Sequence, residues 1–441
     1  MVSVSRPKTI SPFETNICRR IERKALGVTE EAPAIGEVGC HREALETVIA
    51  RAKQEIPLYR DRYHNLSTTT FESLPTISKA DLRGYGPLPL SAAPLCDMYR
   101  VSATSGTTGP RLFIGYTESD WQDIREQYRH IAACVGLESS DVLLNTHGGG
   151  LWIGAPSLDE LAHAAGAGIV PCGPTGPSQV IEWLQSLPIT AISATPSYMR
   201  LLSEHANLNG IELDTTRLRM GLFGGEGSSP SLRQKVCQTL GPHFRWQEAY
   251  GSTETGGPIL AYAPPDDLFG GLLNVNTRYF VVEVLHLDRD QAIGPGEIGE
   301  ITLSTPYRQG SVLLRYRTRD LARIDPGPRD ASGWPRISAL VGRIDDALKV
   351  RGTLVYPSAI EDVLTEALSD GAEWRIELSR EVGDHDVMRI RYEHDDGSLD
   401  QILRDRLHDR LGLKPVLERV APKSFERFPA KAKRVDDRRI D

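Results

Sequence analysis

Apolar residues recur at helical spacing early in the chain, at Ala44, Leu45, Val48, Ile49 and Ala52, and Pro57 ends the predicted helix. From about Asp141 to Thr305 short apolar runs alternate with helical patterns, as in Ile189-Thr190-Ala191-Ile192-Ser193-Ala194 and Met220-Gly221-Leu222-Phe223. That alternation predicts α/β layers around a largely buried sheet. Near Pro326 the pattern changes, with an exposed turn predicted over 325–330 and a small α+β unit beyond it. There Ile360, Val363, Leu364 and Leu368 mark one amphipathic helix, and Leu399, Ile402, Leu403, Leu407 and Leu411 mark another. The runs 375–378 and 387–392 between them predict a strand pair. The expected division is a core over 1–342, whose first part, 1–75, is mostly helical, and a C-terminal domain over 343–441.

The 441 residues are enough for a large core and a second domain. A net charge of −8 argues against a general nucleic-acid or anionic-membrane binder, although the stretch from Lys423 to Arg439 is locally basic. Met1 to Asn16 is polar and no segment approaches about 18 uninterrupted apolar residues, so neither a leader nor a membrane span is expected and a cytoplasmic location is. Six scattered cysteines without a Cys-x-x-Cys pair point to free thiols in a reducing compartment.

Four polar constellations carry candidate chemistry. Ser102-Ala103-Thr104-Ser105-Gly106-Thr107-Thr108-Gly109-Pro110-Arg111 combines hydroxyls, glycines and one cation, the means of wrapping a polyphosphate, and it is not a Walker loop. The same composition also suits a plain surface loop. Ala249-Tyr250-Gly251-Ser252-Thr253-Glu254 offers an aromatic face for a purine and a carboxylate for a hard cation, or else a polar strand-to-loop transition. In Arg315-Tyr316-Arg317-Thr318-Arg319-Asp320, the acid either accepts both hydroxyls of a ribose or pairs with its neighbouring arginines. Gly342-Arg343-Ile344-Asp345-Asp346 continues to Gly352 and, taken bare, is a charged surface hairpin entering a helix.

The order and spacing of these runs, from about residue 40 to the C-terminus, resemble the adenylate-forming acyl-CoA synthetase superfamily, and most closely its phenylacetate-CoA ligase-like branch. Ala194-Thr195-Pro196-Ser197-Tyr198, Gly224-Gly225-Glu226 and Lys431-Ala432-Lys433-Arg434-Val435 support the resemblance. It implies an α/β fold with a large multi-sheet N-terminal core and a small mobile α+β C-terminal lid. It also implies ATP-dependent activation of a carboxylic acid to acyl-AMP, followed by transfer to a thiol.

Carried over by position, Ser105, Gly106, Thr107, Thr108 and Gly109 would hold the phosphates, and Gly225, Glu226, Ala249, Tyr250, Gly251, Ser252 and Thr253 would frame the nucleotide. Asp320 would bind the ribose, Glu254 would bind Mg²⁺, and Arg343 would reach back towards the nucleotide. Lys431, with Lys433 as fallback, would supply the catalytic cation, Asp345 would be the hinge, and Gly352 would line the thiol channel. The thiol is coenzyme A or a carrier-protein pantetheine. Relatives in the branch are often dimers, so a homodimer is open by analogy alone, and the sequence does not give the oligomeric state.

Departures from the branch pattern are local. Pro110-Arg111 replaces a Lys-Pro pair, Ala430 replaces a glycine before the lysine, and 261–267 lacks the Cys and His ligands of a structural zinc, so no zinc is expected. The acyl pocket is expected at His147, Gly149, Trp152, Tyr198 and Gly224. An indole face and a glycine-rich floor favour an aromatic acid over a fatty acid, and His147 favours a hydroxy- or aminobenzoate; the alternatives are that Trp152 is a core residue and that His147 only satisfies backbone groups. The run His147-Gly148-Gly149-Gly150 looks like an esterase oxyanion segment, but the matching Gly-x-Ser-x-Gly elbow is missing. A non-catalytic nucleotide-binding relative is the other alternative.

Overall fold

Pro57 both ends one helix and opens the next: α1 (Arg42–Glu55) stops, and α2 (Pro57–Tyr63) starts with that proline in its first turn, where its missing N–H costs nothing. The structure, a computed structural model, describes residues 38–91, 93–104, 111–264, 267, 271–327, 329, 333–381, 385–426 and 434–439. All of them lie in the unit Ala34–Asp441.

A hairpin of β1 (Arg100–Ala103) and β2 (Phe113–Tyr116) leads into α3 (Glu118–Val135). A capping box starts α3, with Thr117 accepting from the Asp120 N–H and the Asp120 carboxylate accepting from the Thr117 N–H. Its buried residues Trp121, Ile124, Tyr128, Ile131 and Val135 form one face. Strands and helices then alternate: β3 (Val142–Asn145), α4 (Gly154–Ala165), β4 (Gly168–Pro171), α5 (Pro177–Ser186), β5 (Ala191–Ala194), α6 (Pro196–Leu208), β6 (Met220–Phe223), α7 (Pro230–Leu240), β7 (Arg245–Ser252). Every residue of β5 and β6 is buried, as strands covered on both faces must be.

With β8 (Gly257–Tyr262), β9 (Leu272–Val275) and, later, β13 (Arg336–Ser338), these strands form an eight-stranded sheet ordered β13-β9-β8-β7-β6-β5-β3-β4. The strands β4, β3, β5, β6 and β7 run parallel, and β8 turns the pairing antiparallel. One hydrophobic cluster packs α3 and α4 against one face, and a second packs α5, α6 and α7 against the other. An antiparallel sheet of β10 (Val281–Leu285), β11 (Ile298–Ser304), β12 (Tyr316–Arg323) and β14 (Gly342–Arg343) follows.

The C-terminal part has its own cluster. It comprises the hairpin β15 (Leu348–Val350) and β16 (Thr353–Val355), α8 (Pro357–Ala367), β17 (Trp374–Glu381), β18 (His385–Glu393), α9 (Asp400–Leu411), β19 (Val416–Val420) and β20 (Val435–Asp437). The predicted strand pair is β17 and β18, and both predicted helices form. Ile402 departs from its predicted apolar stripe and is 45% exposed, because Leu403, Leu407 and Leu411 alone supply the buried edge of α9. This part docks on α6 and α7: Arg200 Nη2 lies 3.3 Å from Glu373 Oε1, Lys235 Nζ lies 2.6 Å from Asp370 Oδ1, and the Ser231 hydroxyl donates to Asp362 Oδ1 at 2.7 Å. Among the described residues no helix is long and apolar enough to cross a membrane.

Trp246 on β7 is fully buried and stacks on Phe223 with ring centroids 3.7 Å apart. Trp246→Ala is expected to cost about 3–5 kcal/mol, read as a lowered denaturant midpoint, because the cavity lies in the middle of the sheet where nothing collapses into it. A change within about 0.5 kcal/mol would contradict that packing account.

Candidate active site

The end of β7 makes the first wall of the site. Its pairing with β8 shifts register between Tyr250 and Ser252, and Gly251 stands at the shift because an added Cβ would lie 1.9 Å from the Gly257 carbonyl oxygen. The Tyr250 hydroxyl donates to Asp320 Oδ2 at 2.8 Å. On the other side Asp320 pairs in register with Arg343 of β14, whose Nε lies 3.2 Å from Asp320 Oδ1.

Asp320 is buried, and burial pushes its carboxyl up to about 6; the Arg343 guanidinium and the Tyr250 hydrogen bond oppose that rise, while the charges of Glu254 and Asp346 add to it. Burial, then the adjacent Asp320 charge, pushes the Tyr250 phenol well above its ordinary value. The arginines beside Asp320 in sequence are engaged elsewhere: Arg315 with Glu283, Arg317 with Glu300 and Asp290, Arg319 with Asp345. The neighbour-pairing alternative is therefore not the arrangement found.

Thr253 and Glu254 follow in a turn held by several side chains. Tyr116 donates to the Thr253 carbonyl, Arg308 Nη2 donates to the Thr255 carbonyl at 2.9 Å, and the Tyr316 hydroxyl donates to Glu254 Oε1 at 3.0 Å. Glu254 Oε2 has no partner among the described residues. One bound and one unused oxygen on a fixed carboxylate suit a hard cation. Glu226 is used structurally here, its Oε1 accepting from the Ser197 N–H at 2.7 Å at the start of α6.

Beside this frame lies a largely apolar cleft. The frame side is Gly224, Gly225, Ala249, Gly251, Ser252 and Thr253, and the far side is Ile131 and Val135 of α3, Leu158 and Leu161 of α4, Ser193 and Leu222. Trp152 and His147 line it too, edge to face, with centroids 5.1 Å apart and planes at 65°. Burial alone lowers the His147 imidazole to about 4, so it is neutral near pH 7.

The structure thus brings together Tyr250, Gly251, Ser252, Thr253, Glu254, Asp320 and Arg343, with His147, Trp152, Gly224, Gly225 and Ala249 alongside. It does not bring in the other two pocket residues. Tyr198 packs in the second cluster and donates to the Thr175 carbonyl at 2.7 Å, and Gly149 is exposed on its loop. Asp345 accepts from Arg319 Nε at 3.0 Å, and Gly352 sits at the exposed tip of the β15–β16 hairpin with φ 84°. Ser105, Gly106, Thr107, Thr108, Gly109, Lys431 and Lys433 lie outside the described residues. Sequence reasoning missed Ile131, Val135, Leu158, Leu161 and Ser193, because helical or strand periodicity marks a residue as buried without saying which cavity it faces.

The model of the AMP-binding enzyme family matches residues 41–316, and that of the AMP-binding enzyme C-terminal domain matches residues 352–439. The chain is 28% identical to the phenylacetate-coenzyme A ligase of Pseudomonas putida over 418 residues, covering 90% of this chain and 93% of that one. It is also 28% identical to the phenylacetate-coenzyme A ligase of Thermus thermophilus, over 77% and 82% of the two chains. A crystal structure of 2-hydroxyisobutyryl-CoA ligase with 2-HIB-AMP superposes with a TM-score of 0.80 at 22% identity, covering 91% of this chain and 89% of that one.

Because burial raises Asp320 towards 6, the folded state holds that proton more tightly than the unfolded chain, and the stability this lends is lost as pH rises from the ordinary carboxylate range through about 6. Asp320→Asn does not titrate, so its stability relative to the parent should improve by an amount of order 1–3 kcal/mol across that window. Denaturant midpoints at stepped pH check this, and a constant difference would contradict it.

Proposed function

The chain belongs to the AMP-binding enzyme family, and from that premise we propose that it activates an aromatic carboxylic acid with ATP and passes the acyl group to coenzyme A. The chain is an AMP-forming acid–thiol ligase of the adenylate-forming type. The aromatic substrate is our own reading. The observation that carries it is the largely apolar cleft, walled by an indole and two helices, beside the Asp320–Tyr250–Arg343 frame.

In the first step a carboxylate oxygen attacks the α-phosphorus of ATP, the bond to the β-phosphate oxygen breaks, and pyrophosphate leaves. In the second, a thiol sulfur attacks the acyl carbon, its proton goes to solvent, and AMP leaves. Adenylation replaces an oxide leaving group, which does not depart, with a phosphate ester that does. Asp320 would accept from the ribose hydroxyls with the oxygens it now shares between Tyr250 and Arg343, and Tyr250 would offer its ring to the adenine. Glu254 would hold Mg²⁺, and the ion would offset charge on the triphosphate.

Ser105, Thr107 and Thr108 would donate to the phosphates, and Lys431 would face the charge building on the α-phosphate. The C-terminal part, residues 343–441, would act as a lid turning about Asp345 to bring Gly352 to the thiol's path. His147, neutral at working pH, would meet a ring hydroxyl or amine as donor or acceptor, which favours a hydroxy- or aminobenzoate.

Acid-dependent exchange of pyrophosphate into ATP, screened over benzoate, hydroxybenzoates, aminobenzoates, phenylacetate and medium-chain fatty acids, tests this reading. The best kcat/KM is expected for a substituted benzoate, and a fatty acid as best substrate would overturn the aromatic assignment. Lys431→Ala should lose roughly 10²–10³ in the adenylation rate yet still form thioester from supplied acyl-adenylate. Equal loss in both half-reactions would contradict that division of labour.

A further inference from the structure

The far side of the cleft holds a polar group with nothing to bind. Ser193 of β5 is 0% exposed and lines the cleft among Ile131, Val135, Leu158, Leu161 and Leu222, and its Oγ has no hydrogen-bond partner among the described residues. Its carbonyl is engaged, accepting from the Thr146 N–H at 3.1 Å and the Thr146 hydroxyl at 2.9 Å, while the side-chain hydroxyl is left over. A buried hydroxyl without a partner costs stability and is usually matched by protein, water or ligand.

The same row of the sheet carries a second buried polar residue, although that one does not line the cleft. Ser193 pairs in register with Leu222 of β6, and Leu222 with Gln247 of β7, so the three side chains leave the same sheet face. Gln247 is also 0% exposed, and neither its Oε1 nor its Nε2 has a partner among the described residues. One strand row under α3 and α4 thus carries unused hydrogen-bonding capacity on both sides of Leu222. Alanine and leucine would fill these places at lower cost if the row only had to pack.

We propose that Ser193 is a specificity-determining residue that hydrogen-bonds a hydroxyl or amino group on the ring edge remote from the acid's carboxylate. This rests on the aromatic reading of the cleft given above. The carboxylate must lie at the frame side, beside Gly224, Ala249 and Asp320, so the ring's far edge points to Ser193 and Leu222. An unsubstituted ring, or an alkyl chain, leaves the Ser193 hydroxyl buried without a partner. A 3- or 4-hydroxyl satisfies it and is satisfied in turn, whereas a 2-hydroxyl stays beside the carboxylate and out of reach. A site built to pair a substrate hydroxyl rejects the analogue that lacks one, because its own polar group is then stranded.

The test compares the full-length parent with Ser193→Ala in acid-dependent pyrophosphate exchange, using benzoate and 2-, 3- and 4-hydroxybenzoate, together with thermal midpoints of both free proteins. The ratio of kcat/KM for the better of 3- and 4-hydroxybenzoate to that for benzoate is expected to fall about 10-fold in the variant, while the 2-hydroxybenzoate ratio keeps its parental value. The variant's midpoint is expected to equal or exceed the parent's, since an unpaired hydroxyl is removed. Equal losses on all four acids, or a clearly lowered midpoint, would overturn the proposal and leave the aromatic reading standing. No exchange with any aromatic acid in the parent would overturn both.

Discussion

A carboxylate removed from water must be repaid in hydrogen bonds or charge, and Asp320 is where this molecule meets that demand. Its partners come from different strands: Tyr250 from the end of β7, Arg343 from β14, with Asp320 itself on β12. The interaction therefore joins the eight-stranded sheet to the smaller antiparallel sheet at the edge of the cleft. Those contacts only partly offset the cost of burial, which, with smaller contributions from the Glu254 and Asp346 charges, pushes Asp320 up to about 6. Such a group is better suited to a ligand's hydroxyls than to permanent burial, and that is the physical basis for reading it as a ribose acceptor.

Arg343 also belongs to the approach to the C-terminal part. Two residues on, Asp345 takes Arg319, and beyond it the chain enters a body with its own hydrophobic cluster, tethered to α6 and α7 through charged and polar contacts. Of these tethers Lys235–Asp370 is partly exposed and can exchange with water when a body turns, whereas the buried Arg200–Glu373 pair would have to be rehydrated or paired anew. The chemistry of the contact is thus compatible with a lid that changes position between two half-reactions.

Much of the architecture was legible in the order of residues. Buried parallel strands announced themselves as short, mostly apolar runs, at 191–194 and 220–223, and the C-terminal helices as stripes at helical spacing. The frame was legible as motifs, since Tyr250, Glu254, Asp320 and Arg343 carry their chemistry in their side chains. Partnership was less legible: three arginines surround Asp320 in sequence, but strand alternation and a positive φ at Arg315 and Arg319 send them to other acids. Tyr198 looked like a pocket residue by motif, yet its place on α6 turns it into the opposite core. The far wall of the cleft was invisible for a related reason, because Ser193 is an unremarkable residue until the fold sets it among Ile131, Val135, Leu158, Leu161 and Leu222.

The central claim is that one continuous site holds the nucleotide at Asp320 and Tyr250 and the acid between Trp152 and the helices α3 and α4. A crystal structure with a non-hydrolysable aryl-adenylate, its phosphate replaced by a sulfamoyl group, tests it most directly. The account predicts both ribose hydroxyls within hydrogen-bond distance of the Asp320 carboxylate and the aryl ring inside the cleft with its far edge at Ser193 and Leu222. A ribose bound away from Asp320, or a ring left outside that cleft, would contradict it.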